Sequence, residues 1–148
     1  MSSEEEAFWC FVQIIEVIMP LDYYTNLQGV MVDTQAFKVM MKDTLPKLSA
    51  HLQQFNFDID ILLTKWLIQI FVNHLPLNAE LAVWDLFMIK GMSVVFRVAL
   101  TLFKTMEEQI LKAKDTGDIF MIVSEYQTKI TCEILLEKFF NGINNRDI

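Results

Sequence analysis

The sequence predicts an all-α fold, a compact bundle of about seven or eight helices in a single domain. Three observations lead there. Apolar residues recur at helical spacing over most of the chain, as at Leu63, Trp66, Leu67, Ile70 and Phe71. Helix-starting residues (Ser3, Asp33, Thr44, Asp58, Asn78, Ser93) and helix-stopping ones (Pro20, Pro76, Gly91, Gly142) punctuate that pattern. Strand signals are weak, with no sustained alternation and only four glycines.

Ser3 and Glu6 match a capping box, and Glu4, Glu5 and Glu6 put negative charge where the helix macrodipole favours it. The helix they open runs to Met19, before Pro20, and between Ala7 and Met19 only Gln13 and Glu16 are strongly polar. A helix apolar almost all round belongs in the middle of something. Residues 20–32 read as a loop carrying a tyrosine pair and Gly29. Asp33 caps a short helix holding Phe37, Val39, Met40 and Met41. Thr44 caps the next, with Pro46 tolerated in its first turn and Leu45, Leu48, Leu52 and Phe55 on one face.

Asp58 caps a long central helix that continues until Pro76, where the missing N–H stops it. Lys65, Gln69 and Asn73 step every four residues along its polar side. Asn78 restarts the chain as helix. Leu81, Trp84, Leu86, Phe87 and Met88 supply its apolar surface, and Gly91 ends it in a left-handed turn. Ser93 opens another long helix to about Lys114, with Val94, Val95, Val98, Leu102 and Met106 on one wide face. Two shorter helices follow at 118–127 and 131–141, the last closed by Gly142 before a frayed tail. Trp66 and Trp84, on adjoining helices, imply a central packing layer.

A chain of 148 residues suits one domain, and one of that size can bury about 68–70% of its unfolded surface. The apolar fraction is 53%, slightly above the usual range of about 45–50%. Either several helices bury more than one face, or the chain is part of a larger unit with an interface exposed. The net charge of −7 argues against a nucleic-acid binder, whose phosphate contacts need clustered Lys and Arg. It also disfavours docking on anionic lipid by charge alone. The acidic start, MSSEEE, is the opposite of a secretory or transit peptide, and no apolar run approaches the roughly 20 residues that span a bilayer. Cys10 and Cys132, far apart in sequence, read as packed thiols of a reducing compartment rather than a disulfide.

Catalytic equipment is scarce. His51 and His74 have no Cys or acidic neighbours at metal-ligand spacing and read as helix-end or surface residues. No glycine-rich phosphate loop or Gly-x-Ser-x-Gly elbow occurs. The nine methionines are scattered, which favours core filling over a binding groove. No cofactor, metal or catalytic residue is expected.

The order of the landmark residues says more. EEEAFWCFV spans residues 4–12, and Pro20, Tyr24, Leu27 and Gly29 follow. Then come LPKLSAHL at 45–52, Trp66 with Phe71, LPL at 75–77, WDLFMIKG at 84–91 and FRVALTLF at 96–103. In this order and spacing the chain resembles the C-terminal half of the TBC domain of Rab GTPase-activating proteins, over roughly residues 4–113. Residues 1–117 correspond to the core of that C-terminal subdomain and 118–148 to its variable terminal helices.

The resemblance implies a Rab-family GTPase partner, a role in vesicle trafficking and a cytoplasmic protein, peripheral to endomembranes through its Rab. TBC domains act with two fingers, an arginine from I-x-x-D-x-x-R and a glutamine from Y-x-Q. An arginine finger contributes about 10³–10⁵ in rate. Both motifs lie upstream of this chain's counterpart. Arg97 falls in the core-helix motif, Arg146 in the tail, and Tyr126–Gln127 is not Y-x-Q, so no finger is expected here.

The expected role is scaffolding the missing N-terminal half and contributing to Rab binding; the alternative is a non-catalytic helical adaptor derived from the fold. Trp66, Phe71, Trp84, Asp85, Phe96 and Arg97 are the expected structural core, with Asp85 and Arg97 joined as an inter-helix ion pair rather than left to solvent. Lys65, Gln69 and Asn73 are either a solvated face, the favoured reading, or a partner-binding stripe. The apolar helix 8–19 should be exposed and drive self-association.

Overall fold

The computed structural model describes residues 3–20 and 23–141. Among them are eight α-helices and one π-helical turn, with no strand, as the all-α reading requires. Helix α1 (Glu4–Gln13) opens with the Ser3 hydroxyl accepting the Glu6 N–H at 3.2 Å. It does not continue to Met19 as α-helix. It widens into a π-helical turn, Ile14–Ile18, closed by the Met19 N–H donating to the Ile14 carbonyl at 2.9 Å. Ile14 and Met19, five residues apart, are both buried.

Helix α2 (Gln28–Thr44) begins inside the segment expected to be loop. Leu27 takes the capping position, the Asn26 side chain before it accepts the Gln28 N–H at 3.0 Å, and Asp33 lies within the helix. Its buried residues Val30, Thr34, Phe37 and Met41 step by three or four along one face. Gly29 lies so close under Tyr23 that a β-carbon there would stand 2.7 Å from the ring. In α3 (Pro46–Gln54) Pro46 occupies the first turn as expected, but Thr44 ends α2 and Leu45 takes the capping position.

Asp58 caps α4 (Ile59–Gln69), accepting the Asp60 N–H at 3.1 Å. Helix α5 (Leu77–Lys90) starts directly after Pro76, so Asn78 falls in its first turn and is not the cap. Gly91, at φ 66° and ψ −152°, occupies a region essentially reserved for glycine. Helix α6 (Met92–Ile110) starts one residue before Ser93, whose hydroxyl donates to the Lys90 carbonyl, and stops short of Lys114. Asp115 caps α7 (Thr116–Lys129), accepting the Asp118 N–H at 2.8 Å, and α8 (Cys132–Asn141) follows. Gly142, Arg146 and the tail lie outside the described residues.

The core is built around α6, against which α4, α5, α7 and α8 pack, while α2 joins α3 and α4. Trp66 is fully buried between Phe71 and Phe103, with ring centroids 5.2 and 5.4 Å away. Phe37 brings α2 into the same layer, 6.0 Å from Phe103. Ile119, Val123, Leu135 and Phe139 of the last two helices belong to that cluster too.

Trp66→Ala should therefore cost about 3–5 kcal/mol in denaturant unfolding. The Trp66 indole N–H has no hydrogen-bond partner among the described residues. Trp66→Phe, which keeps most of the ring burial and breaks no bond, should cost clearly less.

Candidate functional site

Helix α4 ends at Gln69, seven residues before Pro76, because the chain turns left-handed. Ile70 sits at φ 48°, Phe71 at 63° and Asn73 at 62°. A β-branched or bulky residue there is strained by roughly 1–3 kcal/mol. Tertiary contacts hold it. Ile70 and Phe71 are buried, and the Trp84 indole N–H donates to the Ile70 carbonyl at 3.1 Å.

This turn gathers the polar residues. Lys65 and Gln69 are exposed on α4, but Asn73 belongs to the turn, so the three do not form the expected stripe along one helix. The Asn73 N–H donates to the Glu80 carboxylate at 3.1 Å, and His74 Nε2 lies 2.8 Å from Gln69 Oε1. Burial, then the Lys65 charge, holds His74 below its usual 6.5, opposed by Glu80. Sequence reasoning left Glu80 out and set His74 aside. Both are placed here by the left-handed turn, which no local pattern announces.

Of the expected core residues, Trp66 and Phe71 are fully buried and Trp84 is half-buried. Phe96 is half-buried and stacked on Phe37, with centroids 6.2 Å apart. Asp85 is exposed and not part of the core. Val83 and Phe87 face inward, and a residue two positions from each points about 200° away. Among the described residues ion pairs join Lys38 to Asp60 and Lys129 to Glu125, and Asp85 is in neither. Arg97 is half-buried with its guanidinium 4.6 Å from the Phe139 ring centroid, a cation–π contact rather than the expected pairing with Asp85.

An open groove of about 460 Å³ lies against the turn, lined among others by Phe11, Ile14, Ile15, Tyr24, Ile70 and Trp84. Beside it α1 buries no side chain, and Phe8, Trp9 and Phe11 are 58%, 60% and 60% exposed. A second cleft of about 440 Å³, between α2, α3 and α4, is spanned by the 2.9 Å Lys38–Asp60 pair. Among the described residues no cluster of His, Cys, Asp and Glu could hold a metal ion, and Cys10 and Cys132 are free thiols. No helix among them is long and apolar enough to cross a membrane. The arrangement is equipped for binding: aromatic surface, a preformed groove and a polar turn.

The family profile described as Rab-GTPase-TBC domain matches residues 1–111. The chain belongs to the Rab-GTPase-TBC family. It is 38% identical over 143 residues to TBC1 domain family member 2B of Homo sapiens, covering 95% of this chain and 15% of that protein. TBC1 domain family member 2A of Bos taurus is 38% identical over 147 residues, covering 97% and 16%. The crystal structure of the Chlamydomonas flagellar RabGAP TBC domain superposes with a TM-score of 0.80 at 27% identity, covering 95% of this chain and 46% of that one. The chain thus spans about a sixth of these curated relatives and under half of the solved TBC chain.

Two measurements check this placement. A double-mutant cycle on Asp85 and Arg97 should give a coupling below about 0.5 kcal/mol. His74, held below its usual value, contributes stability that is complete above pH 6.5 and is lost as pH falls from there through the depressed value. Thermal unfolding between about pH 7.5 and 5.5 should show His74→Gln losing less stability than the unaltered chain.

Proposed function

We propose that this chain is the C-terminal subdomain of a Rab GTPase-activating TBC domain. In that role it scaffolds a finger-bearing N-terminal half and adds to the Rab-binding surface, without being an enzyme itself. The observation that carries this reading is the match of its helices, from α1 on, to under half of a solved TBC chain. Arg97 supports the absence of a finger, being packed on Phe139 within the bundle, while Arg146 lies outside the described residues. Residues 1–117 act as the subdomain core and 118–148 as its terminal helices, with α7 and α8 buttressing α6.

Lys65, Gln69 and Asn73, joined by Glu80 across the turn, are the candidate Rab-contacting residues. They are hydrogen-bonding groups on a rigid corner, suited to positioning a partner rather than to chemistry. The adaptor reading draws on the exposed aromatics of α1, which suit a non-Rab partner equally well.

Single-turnover GTP hydrolysis across a Rab panel separates the two readings. The chain alone should leave every intrinsic rate unchanged. The chain completed with a finger-bearing half should accelerate at least one Rab by about 10³-fold or more. Acceleration by the chain alone would defeat the subdomain reading, and none by the completed domain would favour the adaptor.

A further inference from the structure

The cleft between α2, α3 and α4 is lined by none of the candidate Rab-contacting residues. Charge is unevenly placed around it. Residues 34–57, which supply two of its walls, hold three lysines and one aspartate, in a chain where 19 Asp and Glu face 12 Lys and Arg. The third wall, at the start of α4, brings Asp58 and Asp60. Both are engaged: Asp58 accepts the Asp60 N–H, and Asp60 pairs with Lys38. Lys42 is exposed and in neither ion pair of the described residues, so it is the spare charge of the cleft.

That charge has a definite place. Leu45 ends α2 and opens α3, so Lys42, three residues before it, and Ser49, four after it, both stand near the corner. Lys38 and Gln53 lie one turn further out along each helix, and there Lys38 meets Asp60. The cleft is therefore cationic at its corner and neutralised toward α4. Its floor is apolar, with Leu52, Phe57 and Ile59 all buried. The Leu52 carbonyl accepts the Phe57 N–H at 2.9 Å, and the Phe57 ring centroid lies 4.7 Å from that of Phe120 on α7. The floor is fixed before anything binds, which lowers the cost of ordering it.

We propose that this cleft binds a short extended peptide from another protein, one carrying an acidic side chain beside an apolar one. The carboxylate meets Lys42 at the corner, and the apolar side chain lies on the floor beside the exposed Val39. Gln35, Ser49 and Gln53 take the peptide backbone. Each can both donate and accept, and none has a side-chain hydrogen bond among the described residues. A fatty acid also offers a carboxylate, but its methylenes would strip water from those three side chains and return no hydrogen bond. The proposal is independent of the Rab reading, since it uses neither the corner after α4 nor a finger-bearing half.

The test titrates the isotope-labelled chain with a pool of heptapeptides, each with Asp or Glu two positions before Leu, Ile or Phe and with Gln, Ser or Gly elsewhere. Saturable amide shifts are expected at Lys42, Ser49, Gln53 and Ile59. A pool with Gln or Lys in place of the acid should bind several-fold more weakly at low salt, and the gap should narrow near about 0.5 M salt. Lys42→Gln should abolish the preference for the acid. Asp60→Asn, which releases Lys38 but keeps the backbone N–H that Asp58 accepts, should tighten the acidic pool about two-fold or more. Val39→Glu, at an exposed position where thermal unfolding is little changed, should weaken it about five-fold or more.

No saturable shift at those amides, or shifts centred elsewhere, would overturn the site. So would equal binding of the Lys pool, or an acidic pool weakened by Asp60→Asn. Decanoate moving the same amides at lower concentration than the acidic pool would give the cleft to a lipid and overturn the peptide.

Discussion

The hydrogen bond from Trp84 to the Ile70 carbonyl secures the corner where the chain goes against its own preferences. Isoleucine and phenylalanine rarely adopt positive φ, and two in succession cost on the order of 2–6 kcal/mol. Burying the two side chains returns roughly 1.5–3 kcal/mol each. The balance is close, so the indole N–H, which satisfies a carbonyl turned out of the helical ladder, decides whether the corner holds. The path from α4 into α5, the position of Glu80 and one wall of the apolar groove all depend on it.

Behind that corner the bundle is unevenly finished. Helix α6 contributes a nearly continuous buried surface, and α4, α5, α7 and α8 close round it. Helix α1 gives the core nothing until its π-helical turn, where Ile14 and Met19 go in. Large apolar side chains are exposed on other helices too, among them Ile89, Met121 and Phe140, but the aromatic ones gather most densely on α1. In a self-sufficient unit of this size, three adjacent aromatics each more than half exposed are unusual.

Local chemistry was readable where it was local. Ser3 and Asp58 cap the helices they were expected to cap, and Gly91 makes its turn. The α2 face was also legible in principle, since Val30, Thr34, Phe37 and Met41 are correctly spaced; the tyrosine pair and Gly29 diverted that segment to loop. The end of α4 was not legible. Nothing in Ile70–Phe71 signals a left-handed turn, because the cause is their burial beside Trp66 and the bond from Trp84, both non-local. For the same reason the gathering of Gln69, Asn73, His74 and Glu80, and the Arg97–Phe139 contact, could not be read from spacing along one helix.

The π-helical turn at Ile14–Ile18 has a geometric consequence of its own. A five-residue hydrogen-bonded step uses one residue more than an α-helical one, so everything before it is rotated by about 100° relative to an uninterrupted helix. The heading of Phe8 and Phe11 is therefore set by phase rather than by contact with the bundle. Deleting one residue there could leave a continuous helix and an intact anchor at Met19, yet swing the aromatics a quarter-turn aside. The extra residue works as an indexing notch, letting one end of the rod stay gripped while the other is aimed.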